Sequence, residues 1–322
     1  MIAPTTHYVK KPRILILSGL AIVLAVGAAA WLYAKHDDPG KAALAHAADI
    51  LKLGPRTPGS ATLDNVRRQV TAKLTSYGWN VTEQSFDRLT PVGPIHFSNL
   101  RARFPQSGEV DPWSRPVDAI LSAHIDSKPS KDHLFVGADD SASCCGAIIE
   151  IARLLAKSHT DQARRLELVF FDGEESQAGE MTEDDGPIPK DGLWGSRAYA
   201  NLWRNVARKP RFGILLDMVG HKNLAIRLPS DTPDFLKTAC LDAATKENAR
   251  EHFGMAQRSI GDDHVPINLV GIPTIDIVGN YSEYPWWHTP GDNLENLSAE
   301  SLGISVRVTM RMLSDLLQNP AG

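Results

Sequence analysis

The sequence predicts an α/β fold: a three-layer α/β/α sandwich with a central mixed, mostly parallel sheet, plus one N-terminal transmembrane helix. Three observations carry this reading. From Asn80 onward, short runs rich in β-branched and aromatic residues alternate with amphipathic stretches, the pattern of strands joined by crossover helices. Several of the runs, such as Leu166 to Phe171, are almost wholly apolar, as expected of strands covered on both faces. Ile14 to Ala34 contains no charged residue.

At the N-terminus, about 20 apolar residues rising 1.5 Å each are enough to cross the hydrocarbon core. Lys10, Lys11 and Arg13 precede the run and mark the cytoplasmic side. The run is longer than the roughly 7 to 15 apolar residues of a cleaved signal peptide, so an uncleaved anchor is expected. The expected organisation is a cytoplasmic basic segment (1–13), a signal anchor (14–34), a linker (35–45) and one domain (46–322) in the periplasm or a secretory lumen.

Within that domain, Lys41 to Leu53 and Ala61 to Tyr77 read as helices, the second with Val66, Val70, Leu74 and Tyr77 on one face. The turn-rich Gly54-Pro55-Arg56-Thr57-Pro58-Gly59-Ser60 separates them. Strands are expected at Asn80 to Phe86, Ser98 to Phe104, Ala119 to Ala123, Leu166 to Phe171, Gly213 to Leu216 and Thr274 to Val278. Helices are expected at Cys145 to Lys157, Leu193 to Val206, Asp234 to Ala249 and Glu300 to Leu317. Ser176 to Asp191, polar and rich in Gly, Pro and acids, reads as a long surface loop.

Composition narrows the function classes. The 34 Lys and Arg against 38 Asp and Glu give a net charge of −4, with no basic surface to attract nucleic acid. The 3 cysteines are too few for a disulfide scaffold, and Cys144 and Cys145 read as small buried hydrophobes.

The chemistry lies at the ends of the strands. Phe170-Phe171-Asp172-Gly173-Glu174-Glu175 runs from an apolar strand into two adjacent carboxylates, where open α/β sheets collect ligands. One such acid can hold a metal while the other moves protons. His124-Ile125-Asp126 follows Ala119 to Ala123, Asp139-Asp140 follows a strand expected at Phe135-Val136-Gly137, Asp217 follows Gly213 to Leu216, and His288 follows Thr274 to Val278. A set of imidazole and carboxylates with one open position suits catalytic zinc.

Gly137-Ala138-Asp139-Asp140-Ser141-Ala142, Asp172-Gly173-Glu174-Glu175, Leu216-Asp217 and Trp287-His288-Thr289 resemble the zinc aminopeptidase superfamily, peptidase M28. Further segments resemble its animal-type glutaminyl cyclase branch: His124-Ile125-Asp126-Ser127-Lys128, Leu193-Trp194-Gly195-Ser196-Arg197 and Asp262-Asp263-His264-Val265-Pro266. The resemblance covers nearly all of Ala47 to Leu317. It implies one Zn²⁺ held by Asp140, Glu175 and His288, with Glu174 as general acid and base. Asp217 and Asp262 would form an acid cluster beside it, and Trp287, Trp286 and Tyr281 would line the substrate pocket.

The implied reaction converts the N-terminal glutamine of a peptide or protein to pyroglutamate with release of ammonia. The implied partners are that peptide and, through the N-terminal helix, the lipid bilayer; a monomeric catalytic domain is expected. The alternative is a two-zinc M28-type aminopeptidase, with His124, Asp140 and Asp217 holding a second metal. The chain departs from the animal pattern at three places. Ala123 stands where the partner of Cys145 in a disulfide is expected. No tryptophan occurs between Ser176 and Asp191, and Asp276 replaces a histidine of the acid network.

Overall fold

In the computed structural model of this protein, residues 38–179, 181 and 189–318 are described, together with 1 and 3. The folded unit begins at Pro39. Helices α1 (Pro39–Leu51) and α2 (Ala61–Ser76) lead into a hairpin of β1 (Asn80–Thr90) and β2 (Gly93–Arg103), then β3 (Ala119–His124). A π-type turn over Ala138–Ser143 opens α3 (Cys144–Ser158), followed by the short α4 (Thr160–Ala163) and β4 (Leu166–Phe171). Next come α5 (Trp194–Trp203), β5 (Phe212–Asp217), β6 (Ile226–Leu228), α6 (Asp234–Lys246) and β7 (Phe253–Met255). The chain finishes with α7 (His264–Leu269), β8 (Thr274–Val278) and α8 (Ala299–Gln318).

The main sheet has the order β1-β2-β4-β3-β5-β8. Its four inner-domain strands β4, β3, β5 and β8 run parallel, and the hairpin joins antiparallel through β2. The expected mixed, mostly parallel sheet is therefore present. Strand alternation divides the core into two layers. Leu121, Leu168, Ile214 and Ile275 face one cluster with α1, α2, α3, α6 and α8. Ile120, Val169 and Leu215 face the other, with Tyr199 and Trp203 of α5 and Ile267 of α7.

Two expectations are corrected. The segment expected as a linker (35–45) is partly folded, because α1 begins at Pro39 and buries Ala43 and Ala47 in the core. Phe135-Val136-Gly137 is not a strand, and Asp140 is instead carried by the π-type turn. The parallel pair β6 and β7 was not foreseen, since three residues give no measurable period. The expected anchor, Ile14 to Ala34, lies outside the described residues; among those described, no helix is long and apolar enough to cross a membrane.

Helices α1 and α3 cross closely at Gly146, where a Cβ would stand 2.4 Å from the Ala43 carbonyl oxygen and 2.9 Å from the Ala47 nitrogen. Backbone has no room to yield there. Gly146→Ala is expected to lower stability by about 1–3 kcal/mol, the usual cost of overpacking, seen as a lower midpoint in urea with an unchanged slope.

Candidate active site

The carboxyl ends of β3, β4, β5 and β8 lie side by side, with His124 opposite Phe171 and Asp217 opposite Val278. The chemistry-bearing residues emerge from those ends. After β4, Gly173 turns the chain at φ +74°, and a Cβ there would meet the Phe97 ring at 2.4 Å. The next two amides donate to one carboxylate: Glu174 N to Asp126 Oδ1 at 3.2 Å and Glu175 N to Asp126 Oδ2 at 3.3 Å. Asp126 thereby fixes both glutamates in one turn.

The Asp140 turn is held in a similar way. Asp139 N and Asp140 N donate to the two oxygens of Asp292, at 2.8 and 3.2 Å, while Asp139 Oδ1 accepts from Gly220 N at 2.7 Å. Burial, reinforced by the Asp140 charge, pushes the Asp292 carboxyl up to about 7. Gly137, at φ +56°, starts the turn where a Cβ would stand 1.9 Å from the Asp140 carbonyl oxygen.

Two groups of ligand atoms share Asp140. In the first, His288 Nε2 is 3.4 Å from Asp140 Oδ2 and 3.5 Å from Glu175 Oε1. His288 is held in the left-handed region (φ +53°) with its ring against Trp287, centroids 3.9 Å apart, and its carbonyl facing His133 Nε2 at 3.0 Å. Left-handed backbone at a non-glycine residue is strained, and here it accompanies an imidazole turned toward Asp140 and Glu175. In the second group, His124 Nε2 is 3.0 Å from Asp140 Oδ1 and 3.4 Å from Asp217 Oδ1. Burial opposes charge on His124, but Asp126, Asp140 and Asp217 outweigh it and hold its pKa well above 6.5.

The donor chemistry of the first group fits zinc. Glu175 Oε1 is buried with no hydrogen-bond donor, and it is this oxygen that faces His288. Two carboxylates and one imidazole, converging at the edge of an open cavity, leave a position for substrate. The other Glu175 oxygen is 3.4 Å from Lys128 Nζ, which also reaches Ser176 Oγ at 3.0 Å.

That cavity, of about 780 Å³, is lined by Asp140, Glu174, Glu175, Asp217, Asp262 and His288 at its polar end. Tyr281, Trp287, Met218 and Val278 supply apolar walls. Glu174 is almost fully buried. Burial lifts its pKa well above 4.5, and the neighbouring Glu175, Asp262 and Asp263 lift it further against the pull of His124. The Asp262 carboxyl is itself raised to about 7 by burial and by Asp217.

The structure thus brings Asp140, Glu174, Glu175, Asp217, Asp262, His288, Tyr281 and Trp287 together at one cavity. Trp286 is corrected: it is not among the lining residues and stacks instead on His221 and Tyr284, with ring centroids 4.8 Å away in each case. The position before His124 being Ala123, all three cysteines are free and buried, and Cys145 Sγ donates to the His124 carbonyl at 3.2 Å. Sequence reading missed the supporting roles of Arg56 and Asp292. Neither carries a local signal, since each acts on backbone groups about 70 to 150 positions away.

The family model for peptidase family M28 matches residues 104–313. The chain belongs to that family. As an M28 member it is 30% identical over 294 residues to the glutaminyl-peptide cyclotransferase-like protein of Bos taurus, covering 81% of this chain and 72% of that protein. It is similar in structure to the glutaminyl cyclase of Porphyromonas gingivalis, with a TM-score of 0.74 and 28% identity across 86% of this chain and 98% of the other. It is also similar to a Zn-dependent exopeptidase from Parabacteroides distasonis ATCC 8503, with a TM-score of 0.73 and 26% identity across 85% and 97% of the two chains.

Asp126→Asn would place an amide N–H against one of the two glutamate N–H groups it now accepts. Zinc affinity is expected to fall about 10- to 100-fold, the usual consequence of losing a group that orients a metal ligand, as read by titration against a competing chelator.

Proposed function

We propose that this M28 member is a zinc-dependent glutaminyl-peptide cyclotransferase, acting on peptides or proteins with N-terminal glutamine. The observation that carries the proposal is Glu174, a buried carboxyl on the cavity wall, next in sequence to a ligand carboxylate and fixed by Asp126. The names borne by the relatives agree with it.

One Zn²⁺ would be held by Asp140, Glu175 and His288, and when bound it supplies the Lewis acidity that polarises a carbonyl oxygen. The chain's own residues do the rest. Trp287 and Tyr281 form apolar walls that orient the glutamine side chain and exclude water. The substrate's α-amine attacks its own side-chain carbonyl carbon, a C–N bond forms, and the bond to the side-chain amide nitrogen breaks. Glu174 takes a proton from the attacking amine and gives one to the departing nitrogen, which leaves as ammonia. The nucleophile is tethered to its target, so holding the near-attack geometry replaces the activation of water. Burial and the neighbouring Glu175, Asp262 and Asp263 raise the proton affinity of Glu174, and Asp217 acts through Asp262, so that Glu174 suits both directions of transfer.

A second reading, a two-zinc aminopeptidase, is favoured by one observation: His124, Asp140 and Asp217 form a complete second ligand group sharing Asp140. Two metals would activate water for hydrolysis. For the N-terminus we propose a membrane anchor at residues 14–34, with the catalytic domain outside the cytoplasm, on the strength of the uncharged run and its basic flank. Membrane fractionation of the full chain tests it, and recovery in the soluble fraction would refute it.

Incubating a peptide bearing N-terminal glutamine with the enzyme, with and without a zinc chelator, separates the two reactions by mass spectrometry. Loss of ammonia that the chelator abolishes is expected; release of free glutamine would establish the aminopeptidase. Glu174→Gln is expected to lower kcat about 10²- to 10⁴-fold while zinc content is kept. Glu174 must be ionised to accept the amine proton, and its pKa is raised. The wild-type rate is therefore expected to fall with decreasing pH through a limb lying above the ordinary carboxylate range, a limb absent from the residual activity of the variant.

A further inference from the structure

Asp276 occupies the middle of the buried strand β8, on the face turned toward α5 and α7. A carboxylate there is costly unless it is compensated. Elsewhere this chain supplies the compensation directly: Asp172 pairs with Arg67 at 2.9 Å, Glu167 with Arg101 at 2.7 Å, and Glu150 with Arg153 at 2.7 Å. Asp262, Asp263 and Asp276 are 5%, 0% and 0% exposed, and none of them pairs with a lysine or arginine among the described residues. Both oxygens of Asp276 and Oδ2 of Asp262 are buried without a hydrogen-bond partner, and Asp262 adds to the burial that pushes the Asp276 carboxyl well above its ordinary range.

His264, the first residue of α7, makes the cluster more than a set of acids. Its ring is 2% exposed, and neither nitrogen has a hydrogen-bond partner. Nδ1 lies 3.7 Å from Asp276 Oδ2. Burial pushes the imidazole pKa down to about 4, so the ring is neutral and offers a lone pair. One donor atom from each of Asp262, His264 and Asp276 lies within 4.8 Å of the others.

We propose that Asp262, His264 and Asp276 form a further binding site for a divalent cation of the zinc type, behind the wall of the active-site cavity. The donor set, two carboxylate oxygens and one imidazole nitrogen, is one that zinc accepts. Zinc bonds of about 2.0–2.1 Å in tetrahedral geometry put neighbouring donors roughly 3.3 Å apart; His264 Nδ1 and Asp276 Oδ2, at 3.7 Å, are already near that spacing, and the Asp262 donor lies within 4.8 Å of both. One ion would satisfy the open Asp262 oxygen, an Asp276 oxygen and a His264 nitrogen together. Its effect would be structural, tying Asp262 and the first turn of α7, from which Val265 also faces the cavity, to strand β8 of the sheet.

The test is independent of activity. Crystals of the full chain grown with zinc and measured on both sides of the zinc absorption edge are expected to show an anomalous peak between Asp262, His264 and Asp276, besides one at Asp140, Glu175 and His288. No peak at the first position overturns the proposal. In solution, Asp276→Asn is expected to lose one zinc per chain by elemental analysis while His288→Ala loses a different one, the double variant losing both. Metal content unchanged in a folded Asp276→Asn protein would equally overturn it. Should that variant fail to fold, diffraction from the wild-type chain decides.

Discussion

Arg56 is wholly buried, and its guanidinium donates to the carbonyls of Ile125 and Gly137, both at 3.0 Å, and of Val136 at 2.5 Å. Its own backbone N–H donates to Ser127 Oγ at 2.9 Å. One side chain therefore ties the segment leaving β3 to the segment entering the Asp140 turn. Both are irregular, and their carbonyls would otherwise lie buried without donors, at roughly 1–3 kcal/mol each. Asp126 and Asp292 continue the arrangement with the opposite sign, accepting the amides of Glu174, Glu175, Asp139 and Asp140. The cavity side chains of Asp140, Glu174 and Glu175 are thus aimed by backbone that buried polar groups hold from behind.

The distribution of those charges explains why the cavity favours cations. Acids in the body of the domain are matched with arginines, as at Glu167 and Asp172. Acids around the cavity face histidines, Lys128, backbone N–H groups and one another, and burial raises several of them above their ordinary range. Such a region carries a standing excess of electron-pair donors, which protons or metal ions relieve. Affinity for metal and a high proton affinity at Glu174 thus have the same origin.

Much of this was legible in the sequence because it depends on short-range pattern. The β4 run Leu166 to Phe171 is apolar at all but Glu167, so its boundaries and the position of the acids beyond it could be read directly. Glu167 itself, buried with Arg101, Arg103 and Tyr199, shows that a polar residue in such a run need not break it. Asp140 is expected after a strand and instead sits in a π-type turn at the cavity, a turn that has no sequence period. Trp286 and Trp287 are adjacent and chemically alike; only the 3₁₀ turn at Tyr281–Glu283 and the chain path after it decide that one faces the cavity and the other stacks on His221. The roles of Arg56 and Asp292 were not legible because their partners are backbone atoms far along the chain.

The carboxylate of Asp140 presents Oδ1 to His124 and Oδ2 to His288. A single side chain is thus divided between two imidazoles, and what each imidazole carries on its nearer nitrogen, a proton or a metal, sets the nuclearity of the site. Divergence within such a scaffold between one-metal and two-metal chemistry requires no rearrangement of strands or loops. His124 is in contact with Asp126, Asp140 and Asp217, so substitution at those neighbours alters its basicity. For a lineage of enzymes, that makes the reaction type a more easily altered character than the fold.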